Sequence, residues 1–189
     1  GARYTMGTDS SYTLYAIWEA NNNTLTFDSN GGGGDMPNMT IATDAQQALT
    51  SNSFTRLGYT FKGWSTIAGG NVDYADGANY TMGTNSTYTL YAVWEANKYS
   101  ITYETNGGAH ENTVIFTIED LPLSLSTPTH NRDFLGWYAD ADFTEKVEQI
   151  NSLEDTVLYA KWGSFVYKEY SSYESVIAFD GEESEVIIP

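Results

Sequence analysis

Only two histidines stand in this 189-residue sequence as candidate general bases, His110 and His130. A catalytic histidine needs a nucleophile or substrate within reach. No Gly-x-Ser-x-Gly elbow accompanies either one, so both read as loop residues. Asp140-x-Asp142 and Asp73-x-x-Asp76-Gly77 hint at calcium, but neither completes an EF-hand loop, which also needs a Glu at its twelfth position. They read as solvated turn carboxylates, and neither metal nor cofactor is expected. The 25 Asp and Glu suffice in number for a glycosidase pair. A repeated unit of roughly 70 residues, however, has little room for a deep cleft. Gly31–Gly34 is followed by no Lys-Ser/Thr, so it is no phosphate loop. The absence of Cys removes thiol catalysis, Cys-ligated zinc and a disulfide framework. No catalytic residue is assigned, and the sequence reads as non-enzymatic.

The net charge of −17 argues against a nucleic-acid partner. The charge is spread along the chain without a separate acidic arm. No apolar run approaches the ~18 residues of a bilayer span, so no membrane insertion is expected in this stretch. Aromatics make up 15%, with 15 Tyr and 5 Trp, which separates the chain from a disordered acidic tail.

What organises the sequence is repetition. YTMGTDSSYTLYAIW at 4–18 returns almost letter for letter as YTMGTNSTYTLYAVW at 80–94. TLTFDSNGG at 24–32 returns as SITYETNGG at 100–108. GYTFKGW at 58–64 answers RDFLGWY at 132–138, and YTLYAVW at 88–94 answers TVLYAKW at 156–162. The expected division is a final strand of a preceding repeat (1–20), a full repeat (21–95), a second full repeat (96–162) and a different segment (163–189). On this reading the sequence is an excerpt of a longer protein.

Within a repeat the pattern is that of strands. Thr24–Phe27 and Ser100–Tyr103 alternate polar and apolar residues, and each run ends in Asn-Gly-Gly. Asn-Gly favours a tight turn. Residues 36–43 and 112–118 read as returning strands. Asp44 is placed to cap a short helix over Ala45–Leu49, with Gln47 at the capping-box position. Thr117–Leu125 is the counterpart, shortened by Pro122. In the last strand Leu90, Ala92 and Trp94 share a face, as do Leu158, Ala160 and Trp162, and this face is assigned to the core. Ile17, Val93 and Lys161 hold a position expected to meet water. Gly63-Trp64 and Gly136-Trp137 read as a bulge beside a large buried ring. Trp64, Trp94, Trp137, Trp162, Leu90 and Leu158 are therefore expected to be core residues, with all four tryptophans largely buried.

These anchors resemble the Listeria–Bacteroides repeat, the B-repeat of internalin-type bacterial surface proteins. The resemblance rests on Gly58, Tyr59, Phe61, Gly63, Trp64, Leu90, Tyr91, Ala92 and Trp94. In the second repeat it rests on Asn106, Gly107, Gly108, Pro128, Thr129, Phe134, Gly136, Trp137, Leu158, Tyr159, Ala160 and Trp162. It implies an α+β, β-rich fold: tandem, small, β-grasp-like (ubiquitin-like) modules with mixed sheets. It also implies a secreted or wall-attached bacterial protein in which such modules act as a spacer or stalk, with a role in adhesion or host-protein contact. The first repeat departs by lacking Pro-Thr before Arg56 and by an insertion at 66–87. The second has Arg132-Asp133 in place of Gly-Tyr. Expected partners are a host or neighbouring-cell protein or glycan and the neighbouring domains of the same chain. The alternative is a carbohydrate-binding module using exposed aromatics. Tyr167, Tyr170 and Tyr173 are the candidate interaction residues. The ending EVIIP weakly resembles an entry into leucine-rich repeats.

Overall fold

A computed structural model describes residues 3, 5, 7, 8, 11, 13–170 and 173–178, with side chains described through Ser164. The chain forms two compact units, Gly1–Thr55 with Phe61–Val93, and Arg56–Thr60 with Trp94–Pro189. The boundary thus departs from the repeat boundary: five residues of the first repeat pack with the second unit.

The first repeat holds β1 (Asn22–Asp28), β2 (Met39–Ala42), β3 (Gln46–Ala48), β4 (Tyr59–Ser65), β5 (Asn79–Thr81) and β6 (Thr87–Ala96). Its main sheet runs β2-β1-β6-β4. β1 pairs antiparallel with β2 and parallel with β6, from Thr24 opposite Thr87 to Asp28 opposite Tyr91. β3 and β5 form a separate antiparallel ribbon. The core gathers Leu25, Met39, Ile41, Leu49, Phe54, Trp64, Tyr80, Met82, Leu90 and Ala92. Alternation explains the choice: Leu25 and Leu90 point inward from strands whose other faces are wetter.

The second repeat holds β7 (Tyr99–Glu104), β8 (Ile115–Phe116), β9 (Leu123–Ser124), β10 (Phe134–Tyr138), β11 (Lys146–Val147), β12 (Gln149–Ile150) and β13 (Thr156–Trp162). Its sheet runs β11-β10-β13-β7-β8, so corresponding strands take the same order as in the first repeat. β7 and β13 are again the parallel pair. β9 and β12 repeat the small ribbon. The core is Ile101, Phe116, Trp137, Ile150, Leu158 and Ala160. A hairpin of β14 (Phe165–Tyr170) and β15 (Tyr173–Ala178) comes after it.

The fold is β-rich with mixed sheets, and two helical expectations need correction. Ala45–Leu49 is not a helix, because Gln46–Ala48 is β3. Asp44 has φ of 61°, a turn conformation and not the extended one of an N-cap. Its amide donates to the Met82 carbonyl, and that of Leu49 to Ala78. Cross-strand bonds therefore take the donors that a helix would have used. A five-residue helix is also too short to offset its nucleation cost. In the second repeat the helical segment shrinks to a 3-10 turn, Ile118–Asp120, closed by a Thr117/Asp120 capping box. Among the described residues there is no α-helix, so the α+β label gives way to a β-rich one.

Leu14, Tyr15, Ile17 and Trp18 lie exposed outside any strand, although their copies at 90–94 lie in β6. Residues 179–189, including Val186–Ile188, lie outside the described residues.

Candidate functional site

The recurrent residues converge on one arrangement per repeat, in which the first turn, the strand carrying Gly-Trp (β4 or β10) and the last strand meet. Asn30 and Asn106 adopt left-handed backbone (φ 47° and 49°), and the glycines after them continue the turn at 90° and 96°. Asparagine tolerates this region because its short amide can bond locally. Here the amide also reaches across: Asn30 Nδ2 donates to the Ala92 carbonyl at 2.9 Å, and Asn106 Nδ2 to Ala160 at 2.8 Å. The turn is thereby fastened to the alanine of the Leu-Tyr-Ala-x-Trp strand. In the second repeat Trp162 completes the join. Its Nε1 donates to the Thr105 carbonyl at 2.8 Å, and its ring lies so close over Gly108 that a Cβ there would collide with it. His130 stacks on that indole, with ring centres 4.6 Å apart.

Gly63 and Gly136 have φ of 147° and 142°. This region is essentially restricted to glycine. At Gly136 the β10–β13 register shifts, which is a bulge. A Cβ on Gly63 would come within 2.6 Å of the Tyr74 carbonyl oxygen. The bulge delivers the next residue inward: Trp64 is 0% and Trp137 2% exposed. Phe27, Phe54 and Phe61 surround Trp64 with ring centres 4.8 to 6.2 Å away. Trp137 meets Tyr103, His110 and Phe134 at 5.0 to 6.2 Å. Trp137 Nε1 donates to the Ser126 carbonyl at 3.1 Å, whereas Trp64 Nε1 is buried without a hydrogen-bond partner.

Leu90 and Leu158 are fully buried. Trp94 and Trp162 are partly buried, less completely than Trp64 and Trp137, and Trp162 packs against the second core. The parallel pairing with the first strand ends before them, at Tyr91 and at Tyr159, so on that side no strand covers them. Val93 and Lys161 are partly buried as well. Lys161 lays its ammonium 5.3 Å from the Tyr138 ring centre and 5.6 Å from that of Phe143. The side chains of Tyr167, Tyr170 and Tyr173 lie outside the described ones.

The sites considered for chemistry are occupied by structural bonds. His110 Nδ1 accepts from the Asn112 amide and His130 Nδ1 from the Arg132 amide. The carboxylate of Asp140 accepts from the amides of Thr144 and Glu145 and from the Thr144 hydroxyl, which holds its pKa below the usual carboxylate value. Asp73 does the same for the Thr66 amide and hydroxyl, with the same direction of shift. Asp76 accepts from the Asn52 amide. Among the described residues no three His, Asp or Glu side chains are grouped to hold a metal. A cleft of about 280 Å³ beside His110, Glu111 and Ser126–Thr129 is smaller than the usual range for a drug-sized ligand. Burial pushes the Tyr103 hydroxyl up to about 12, and that hydroxyl donates to the Thr113 carbonyl.

The sequence profile of the Listeria-Bacteroides repeat domain matches residues 24–93 and 99–161. The chain belongs to the Listeria–Bacteroides repeat family. Two curated relatives from Evansella cellulosilytica are similar to it. One, provisionally named a Gly-rich membrane protein, is 34% identical over 168 residues, covering 84% of this chain and 19% of the relative. The other, provisionally named a membrane protein, is 33% identical over 160 residues, covering 79% and 22%. The chain spans about a fifth of the length of the curated relatives it matches. No solved structure matches it. Among the described residues no helix is long and apolar enough to cross a membrane.

Membership explains which residues recur. Gly63, Gly136, Trp64, Trp137, Leu90 and Leu158 build the core, and Asn30 and Asn106 tie the turn to the last strand. The Asn-Gly-Gly turns are visible in the sequence, but their asparagine clasps are not. The available signal was that Asn, and not Asp, stands there in both copies.

Proposed function

We propose that this chain is a non-enzymatic spacer segment of a bacterial cell-surface protein, built from tandem modules that hold other domains away from the envelope. The carrying observation is that the recurrent residues Asn30, Asn106, Trp64, Trp137, Leu90 and Leu158 are spent on the fold, the asparagines as turn clasps and the others as buried core. A binding module would keep recurrent polar or aromatic side chains facing solvent. The family's typically non-enzymatic character supports the same reading. The membrane-protein names of the two relatives support an envelope location, and we extend it to the extracellular face. The parallel pairing of first and last strands at the centre of each main sheet supports a β-grasp-like module, with a ribbon where the helix would stand. Adhesion through a host protein is the finer reading.

Two measurements test this. Surface biotinylation of intact cells carrying the full-length protein should label lysines of this segment, and labelling only after lysis would overturn the location. A glycan array probed with the purified 189-residue chain should show no saturable binding. Saturable binding to any glycan would replace the spacer with a carbohydrate-binding module.

A further inference from the structure

We propose that Gly58-Tyr59 is a docking element by which a repeat captures the 3-10 turn of the next repeat in sequence. The five-residue segment Arg56–Thr60 belongs in sequence to the first repeat but in packing to the second unit. Gly58 is buried against Ile118, so that a Cβ at position 58 would stand 2.9, 3.0 and 3.2 Å from the Ile118 Cβ, Cδ1 and Cγ2 atoms. Next to it, Tyr59 donates its hydroxyl proton to Glu119 Oε1 at 2.9 Å. The Arg56 guanidinium lies 3.8 Å from the Tyr59 ring centre, adding cation–π attraction. Further hydrogen bonds hold the segment in place. The Asn97 amide donates to the Gly58 carbonyl at 2.8 Å, and the Thr60 hydroxyl to Asn97 Oδ1 at 2.6 Å.

The captured turn is shaped in advance. Asp120 Oδ2 accepts from the Thr117 amide at 2.7 Å and from its hydroxyl at 2.9 Å, and the Thr117 hydroxyl accepts from the Glu119 amide. This box leaves Ile118 and Glu119 at the tip. Neither belongs to the second repeat's core cluster. A bulky aliphatic side chain kept outside its own core, seated on a buried glycine, is a knob that needs a hole. The repeat comparison supplies an independent observation. Aligned on Phe61-x-Gly63-Trp64 and Phe134-x-Gly136-Trp137, the second repeat carries Asn131-Arg132 where the first has Gly58-Tyr59, and residues 163–189 do not carry the repeat pattern again. The docking pair is present in the repeat that precedes another copy and absent from the one that precedes a different segment.

Trypsin provides a local readout on the whole chain, because Arg56 and the exposed Leu57 form a cleavable bond inside the docked segment. Cleavage between them should accelerate about tenfold in Ile118→Asp. Tyr59→Phe and Glu119→Gln should each accelerate it severalfold, and the double variant no more than either single one. Near-ultraviolet circular dichroism should show the Trp137 environment unchanged. Should Ile118→Asp unfold the second repeat, the two mild variants still decide. Unchanged cleavage in both, or a double variant whose effect is the product of the singles, would overturn the proposal.

Discussion

Gly63 and Gly136 share a similar positive φ in β4 and β10 but face different neighbours, and this separates backbone strain from steric collision. At Gly136 an added methyl would meet the flexible end of Lys146, which can swing away. At Gly63 it would meet the backbone carbonyl of Tyr74, which cannot. Gly136→Ala is expected to cost about 1–3 kcal/mol from its φ alone, and Gly63→Ala measurably more, as read by urea unfolding. Equal losses would show that the collision is absorbed. The tryptophans beside them differ in the opposite direction. Trp137→Phe loses the bond to Ser126, while Trp64→Phe removes a buried N–H that has no partner. The first should be the more destabilising by about 1–3 kcal/mol in the same assay. Recurrence alone marks these Gly-Trp pairs as important in the sequence. The inequality between them stays hidden there, because it depends on residues distant along the chain. The surroundings differ as well: Gly34 lies beside Phe54 in the first repeat, and His110 packs on Trp137 in the second.

Strands were legible wherever alternation was strict. Thr24–Phe27 and Leu90–Trp94 both fall inside strands, β1 and β6, each of which runs further at both ends. The ribbon strand β3 was not legible, because Ala-Gln-Gln-Ala favours a helix and only its partner Asn79–Thr81, far along the chain, decides otherwise. Trp94 and Trp162 are less buried than Trp64 and Trp137 for a related reason, since periodicity gives the face but not where a neighbouring strand ends. One joint between elements carries a pH signature. Asp155, just before β13, accepts from the Ser100 amide and hydroxyl on β7, and these bonds lower its pKa. Asp73 and Asp140 are lowered likewise. A carboxylate with a depressed folded pKa stabilises the fold above its unfolded pKa of about 3.9 and ceases to do so as pH falls through the folded value. Melting temperature should therefore hold steady from neutral pH to about pH 5 and drop below about pH 4. Asp155→Asn should shrink that drop, and an unaltered acid limb would count against this joint.

For the whole molecule, the charge of −17 invites the idea of a calcium-stiffened stalk. The carboxylates best placed for it, Asp140 and Asp73, already spend their oxygens on turn amides and hydroxyls. Calcium takes six to eight oxygen ligands. Melts in EDTA and in millimolar calcium are expected to coincide, since a cation bound only by the folded state would raise the melting temperature by mass action. A calcium-dependent rise abolished by Asp142→Asn would reverse this.

The parallel pairing of β1 with β6, and of β7 with β13, has a mechanical consequence. Tension on a chain of such repeats enters each one at the start of its first strand and leaves at the end of its last. Because these two strands lie side by side and point the same way, the load acts in shear. The pairs from Thr24–Thr87 to Asp28–Tyr91 must give way together instead of parting one by one from an end. Stretched by an atomic force microscope, each repeat should yield as a discrete, high-force event, so that the segment would lengthen by a sequence of breakable stops and not as a slack thread.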